Sequence, residues 1–64
     1  MNTTKTNPRA EAARHVAELD RNANDYHHDR IDHATFSARN EKIWREAETD
    51  RQVVELVLET LRNR

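Results

Sequence analysis

Five side chains able to ligate a metal or move a proton crowd into one short stretch: His27, His28, Asp29, Asp32 and His33. Imidazole and carboxylate together make a donor set for zinc or nickel. Their spacing argues against that use. Adjacent residues on a helix point in different directions, so His27 and His28 do not share a target. His28 and His33 stand on opposite sides of an expected turn. The plainer reading is that these groups cap helix ends and stay solvated. His15 has Glu11 four positions before it, the spacing of a surface pair on a helix. The one serine, Ser37, has no general base at a useful distance. No catalytic, cofactor-binding or metal-binding residue is therefore expected, and no enzyme: 64 residues leave little room for a pocket.

The elements that carry these residues follow from composition. Glycine and cysteine are absent and the one proline is Pro8. A chain without glycine, rich in Ala, Glu, Arg and Leu, reads as helix nearly throughout. Without cysteine, neither a disulfide nor a thiolate metal site can staple so small a domain, leaving helix packing and self-association. Charged residues make up 36% of the chain, yet the formal net charge is −1. That balance disfavours a dedicated polyanion binder. No apolar run is long enough to span a bilayer, and Met1 to Asn7 lacks the apolar centre of a secretory signal. A cytoplasmic location is the expectation.

Residues 1–6 read as a disordered polar arm, followed by a single helical domain over 7–64. Asn7 and Pro8 make a good helix start, the first as cap and the second at the first helical position. Ala12, Val16, Leu19, Ala23 and Tyr26 then recur at helical spacing within an arc of roughly 80°. So narrow a stripe is a seam for one partner helix. This first helix runs over about 8–28.

Asp32 is a cap for a second helix, about 33–48, and Ile31 with Phe36 has the spacing of a hydrophobic staple. A staple fixes the angle at which the chain turns, and so predicts a tight corner and an antiparallel hairpin. Phe36, Asn40, Ile43 and Ala47 share a stripe, with Trp44 to its side and Glu41 paired with Arg45. Thr49 followed by Gln52 matches a capping box, which favours a third helix over about 50–62. With no Gly or Pro to force a break, one continuous helix remains open.

Six large apolar residues close the chain: Val53, Val54, Leu56, Val57, Leu58 and Leu61. On a helix they cover about 200°, twice what one partner helix hides. An unbroken second helix would overhang the first by roughly 15 Å with its leucines in water. A lone chain avoids such a patch. Either the tail folds back or it pairs with a second copy, and the width favours both in part.

The order Leu19, Tyr26, Ile31-Asp32, Phe36, Arg39, Ile43-Trp44 resembles the short helical hairpin of SHOCT-type domains. This chain has Arg30 where that family places a glycine before the isoleucine. The resemblance implies a small interaction or oligomerisation module without catalysis.

The fold expected is all-α: an antiparallel helical hairpin plus a C-terminal helix, in a three-helix arrangement that dimerises. The function expected is that of a small protein-binding factor, an adaptor, regulator or inhibitor of phage or plasmid type. It would bind a protein partner or itself through Trp44, Val53, Leu56 and Leu58, rimmed by Arg45 and Arg51. The alternative is a DNA-associated accessory protein or transcriptional regulator that touches phosphates through Lys5, Arg9, Arg62 and Arg64. Against it, Glu41, Glu46, Glu48 and Asp50 interrupt Arg39, Lys42, Arg45 and Arg51 along the helix that would enter the groove. No small-molecule substrate, cofactor or membrane is implied.

Overall fold

The computed structural model describes residues 7–64. They form three α-helices, α1 (Pro8–His27), α2 (His33–Ala47) and α3 (Arg51–Arg62), and no strand among the described residues. The arm expected over 1–6, with Lys5, lies outside them.

Each helix begins at one side-chain oxygen. Asn7 Oδ1 accepts from the Arg9 amide, Asp32 Oδ1 from the Thr35 amide and Asp50 Oδ1 from the Gln52 amide, each at 2.9 Å. These bonds satisfy donors that a first turn leaves without a helical partner. The break before α3 is therefore present, but its cap is Asp50 and not Thr49. The Thr49 hydroxyl donates backwards to the Glu46 carbonyl at 2.8 Å, closing α2 instead of opening α3.

The first corner needs a residue with positive φ, and Asp29 supplies it at φ 59°. Around it the Arg30 amide donates to the Asp25 carbonyl (2.8 Å) and the Asp29 amide to the Tyr26 carbonyl (3.1 Å). This two-bond closure normally has glycine at its left-handed position. Aspartate is among the few other residues that tolerate it. Ile31 and Phe36, on either side of the Asp32 cap, are both half-buried. The second corner has only Glu48, Thr49 and Asp50 between helices, without a positive φ.

The middle position belongs to α1. It packs against both α2 and α3, which touch each other far less. The molecule is thin, 15 Å in its smallest extent against 25 Å in the next. A single stripe on α1 cannot serve two neighbours, so the one-partner seam expected for it needs correcting. Two seams exist, and their chemistry differs. One is apolar: Ala12, Val16, Ala47, Val53 and Val57 are buried together, with Leu19, Trp44, Val54, Leu56 and Leu61 half-buried against them. The other is largely polar. Asn22, 2% exposed, donates its amide hydrogens to the Phe36 carbonyl and to Asn40 Oδ1, each at 2.9 Å. Beside it Tyr26 stacks on Phe36 with ring centres 4.6 Å apart. Asp25 accepts from Arg30 (3.2 Å) and Arg39 (3.3 Å).

Two outcomes are expected from the caps. Asp29→Gly removes the steric cost of the left-handed position and should stabilise the fold by about 1 kcal/mol. Urea unfolding measures this, and an unchanged or lower midpoint would contradict the account of the corner. Hydrogen bonds from Thr35, side chain first and backbone amide second, hold the Asp32 carboxyl below the ordinary 3.8. A carboxyl lowered in the folded state stabilises above its unfolded value, and that contribution fades as pH falls through the folded value. Stability should thus drop on acidification below about pH 4. Asp32→Asn, which still caps, should drop less steeply in an acid titration followed by circular dichroism.

Candidate interaction face

The apolar side chains of α3 divide by depth. Val57 is fully buried and Val53 is 2% exposed. Val54, Leu56 and Leu61 are half-buried against the same core. Leu58 is 44% exposed. Folding back onto α1 therefore hides most of the 200° arc. What remains on the outside is Leu58, with part of the half-buried Val54, Leu56 and Leu61.

That remainder borders an open groove. The first turn of α1 contributes Pro8 and Arg9, and α3 contributes Gln52, Glu55, Leu56, Leu58, Glu59 and Arg62. Three apolar side chains (Pro8, Leu56 and Leu58) thus share one depression with two cations and two anions. The groove joins residues from both of the expected sets: Leu56 and Leu58 from the protein-binding one, Arg9 and Arg62 from the phosphate-binding one.

The other expected residues lie elsewhere. Val53 is inside the core and offers no surface in the folded chain. Trp44 is half-buried and packs on the core from α2. Arg45 is exposed, with Glu41 3.8 Å away, and Arg51 is exposed at the start of α3. Arg64 donates to both carboxylate oxygens of Asp20, one bond measuring 2.7 Å. This hydrogen bonding lowers the Asp20 carboxyl and raises the Arg64 guanidinium relative to their ordinary values. Its cation already has a carboxylate partner.

The histidine-rich corner is solvated. His27, His28 and His33 are exposed. His28 Nδ1 lies 2.9 Å from the Asn24 carbonyl, and the His33 ring stands edge-on to Tyr26. Among the described residues, the metal-ligating side chains that do converge are His15, Glu18 and Glu46. His15 is not the surface histidine expected from its spacing to Glu11, being 3% exposed. Counting apolar periodicity passes over both His15 and Asn22. The available signal was positional: they stand one heptad apart, and Asn22 falls one turn from both Leu19 and Tyr26.

Compared with protein-family models, curated proteins and solved structures, the chain gives no match.

The depths predict how substitution divides the helix. Leu58→Glu should change the unfolding free energy by no more than about 0.5 kcal/mol, as expected of a surface site. Val57→Ala should cost about 2 kcal/mol through lost burial and a residual cavity. Equal losses at both positions in chemical denaturation would contradict the placement of α3.

Proposed function

We propose that this protein is a small, non-catalytic binding module that docks through the outer face of α3. The observation that carries the reading is Leu58, 44% exposed while the other large apolar residues of α3 are buried or half-buried. It borders a groove that also holds Pro8 and Leu56. Arg9, Arg62, Glu55 and Glu59 form a charged rim that selects orientation more than it adds affinity. Trp44, Arg45 and Arg51 belong to flanking surface in this reading, and Val53 acts from beneath as support.

A second copy of the chain fits the groove's own charges. Arg9 and Arg62 of one copy can face Glu55 and Glu59 of the other across a two-fold axis, where each contact occurs twice. The area limits the strength. A 12-residue helix is about 18 Å long, and one of its faces buries far less than the roughly 1,000 Å² of a stable interface. Pairing is thus weak and depends on concentration, and an adaptor, regulator or inhibitor role would use the same face on another protein.

The pairs Tyr26 with Phe36, Asn22 with Asn40 and Glu18 with Glu46 support reading α1 and α2 as an antiparallel hairpin. A SHOCT-type corner belongs to the same proposal, with Asp29 taking the left-handed position. No helix among the described residues is long and apolar enough to cross a membrane. Phosphate contact is the second reading. Arg9 and Arg62 in one groove favour it, and Glu55 and Glu59 beside them blunt it.

Sedimentation equilibrium over a wide concentration range tests the proposal. Wild-type protein should show reversible self-association, and Leu58→Glu should remain a monomer with unchanged helicity. Moderate salt should alter the association little, whereas phosphate-driven binding to a DNA duplex would weaken steeply. A wild-type monomer at every concentration would remove the second copy as partner. Salt-sensitive duplex binding lost in Arg9→Ala would favour the second reading.

A further inference from the structure

The polar seam between α1 and α2 contains an arrangement that packing alone does not require. The His15 side chain is 4% exposed, and its Nδ1 lies 3.2 Å from Glu18 Oε1. On its other edge Nε2 lies 3.8 Å from Glu11 Oε1. Across the seam, α2 brings up Glu46. One ligand atom each from His15, Glu18 and Glu46 lie within 4.8 Å of one another. Three carboxylates thus surround a single buried imidazole. Arg14 takes one of them, lying 3.4 Å from Glu11. Among the described residues, Glu18 pairs with His15 alone and Glu46 has no ion pair. Arg21, Arg39 and Lys42 line the adjoining cleft without bonding either one.

A second observation in the same cleft points the same way. Asn22 lines it together with Glu18 and Glu46. Its amide nitrogen is doubly used, but its Oδ1 is buried with no hydrogen-bond partner. Buried acceptors normally have a donor or a cation. The seam therefore presents lone pairs that the cations lining it, Arg21, Arg39 and Lys42, leave unbonded.

We propose that His15, Glu18 and Glu46 bind a divalent transition-metal ion of the zinc class, linking α1 to α2. A nitrogen-and-oxygen donor set without thiolate suits Zn²⁺ and its first-row neighbours, and an imidazole disfavours Ca²⁺ and Mg²⁺. Zinc binds such atoms at about 2.0–2.2 Å. Two ligands of one tetrahedral ion then stand roughly 3.4 Å apart, a spread that rotation of the two exposed glutamates can reach. Glu18 faces Nδ1, which places the ion on that edge of the ring. The opposite N–H then points at Glu11, the carboxylate–histidine–metal relay that fixes the tautomer of many metal-bound histidines. Ligands projecting from facing helices, with a histidine and a glutamate three residues apart on one of them, are a recurrent way to build a metal site in a helical bundle. Glu18 and Glu46 are both exposed, which gives the ion a route in from water.

The test is titration of the full chain with ZnCl₂ near neutral pH, by isothermal calorimetry and by thermal unfolding. One ion per chain should bind, and the unfolding midpoint should rise with ion concentration. Glu46→Gln and Glu18→Gln sit on exposed positions and keep side-chain volume, so they should fold. Each should weaken binding at least about tenfold and abolish the rise. A variant with His27, His28 and His33 all replaced by Gln should bind as the wild type does. The proposal fails if no saturable one-to-one binding occurs or if Glu46→Gln binds with wild-type affinity. It also fails if the triple histidine variant loses the ion, which would place binding at the solvated corner.

Discussion

The contact of Val53 and Val57 with Ala12, Val16 and Ala47 is what makes this chain a domain and not a hairpin with a tail. Full burial of a valine contributes about 1.5–3 kcal/mol. A domain of this length has a net stability of only about 3–10 kcal/mol. Two valines therefore supply an amount comparable with the whole margin. The alanines on the facing surfaces matter for the same reason, since a small side chain lets the helix axes approach and the valine methyls find partners. Without this seam, α1 and α2 would be left with an interface of Asn22, Asn40, Ile43 and the Tyr26–Phe36 pair, and isolated helices of such length are marginal in water.

The polar seam does a different job. Asn22 makes two bonds at 2.9 Å to α2, one to a backbone carbonyl and one to Asn40. A slip of one turn would break both and leave buried amides unmatched. That penalty exceeds the modest net gain from the bonds themselves. Buried polar groups are known to set register between helices at some cost in stability. Here the division of labour follows from α1 being the middle helix. Its apolar side buries α3 and the C-terminal end of α2 with it, and its polar side positions the rest of α2 by hydrogen-bond geometry. The stacked Tyr26 and Phe36 close the end of that polar seam nearest the corner.

Local signals in the sequence carried a good part of this. Three helices, the Asn7–Pro8 start and the Asp32 cap can be read from side chains that act on their own backbone within a few residues. The break near residue 50 is legible for the same reason. Its cap is not, because Thr49 and Asp50 are both good caps and the choice depends on Thr49 turning back to Glu46. Asp29 is less legible: aspartate and histidine both tolerate the left-handed position, and His27, His28 and Asp29 stand together at the helix end. The second seam of α1 is only half visible to a search for apolar periodicity, since Ile43 and Phe36 mark it on α2 but its buried members on α1 are His15 and Asn22. Of the expected docking residues, Leu56 and Leu58 come together with Arg9 and Arg62 at one groove. Val53 lies in the core instead and Trp44 is half-buried against it, because large apolar residues carry no mark that separates an internal contact from an external one.

The magnitude of what stays exposed sets the kind of binding this fold can support. If complete burial of a leucine contributes at most about 3 kcal/mol, the 44% of Leu58 still in water holds roughly 1 kcal/mol for a partner to gain. That is less than a tenfold change in an equilibrium constant. One leucine cannot overcome the rotational and translational cost of association, estimated at several kcal/mol or more. Affinity must then come from Leu58, Leu56 and Pro8 acting together, with the charges of the rim setting orientation. A surface of this sort works where local concentration is high or where several copies are presented at once. Rigid α1–α2 geometry would help in either setting. The first turn of α1 forms one wall of the groove, so any restraint on α1 reduces the ordering that binding would otherwise require.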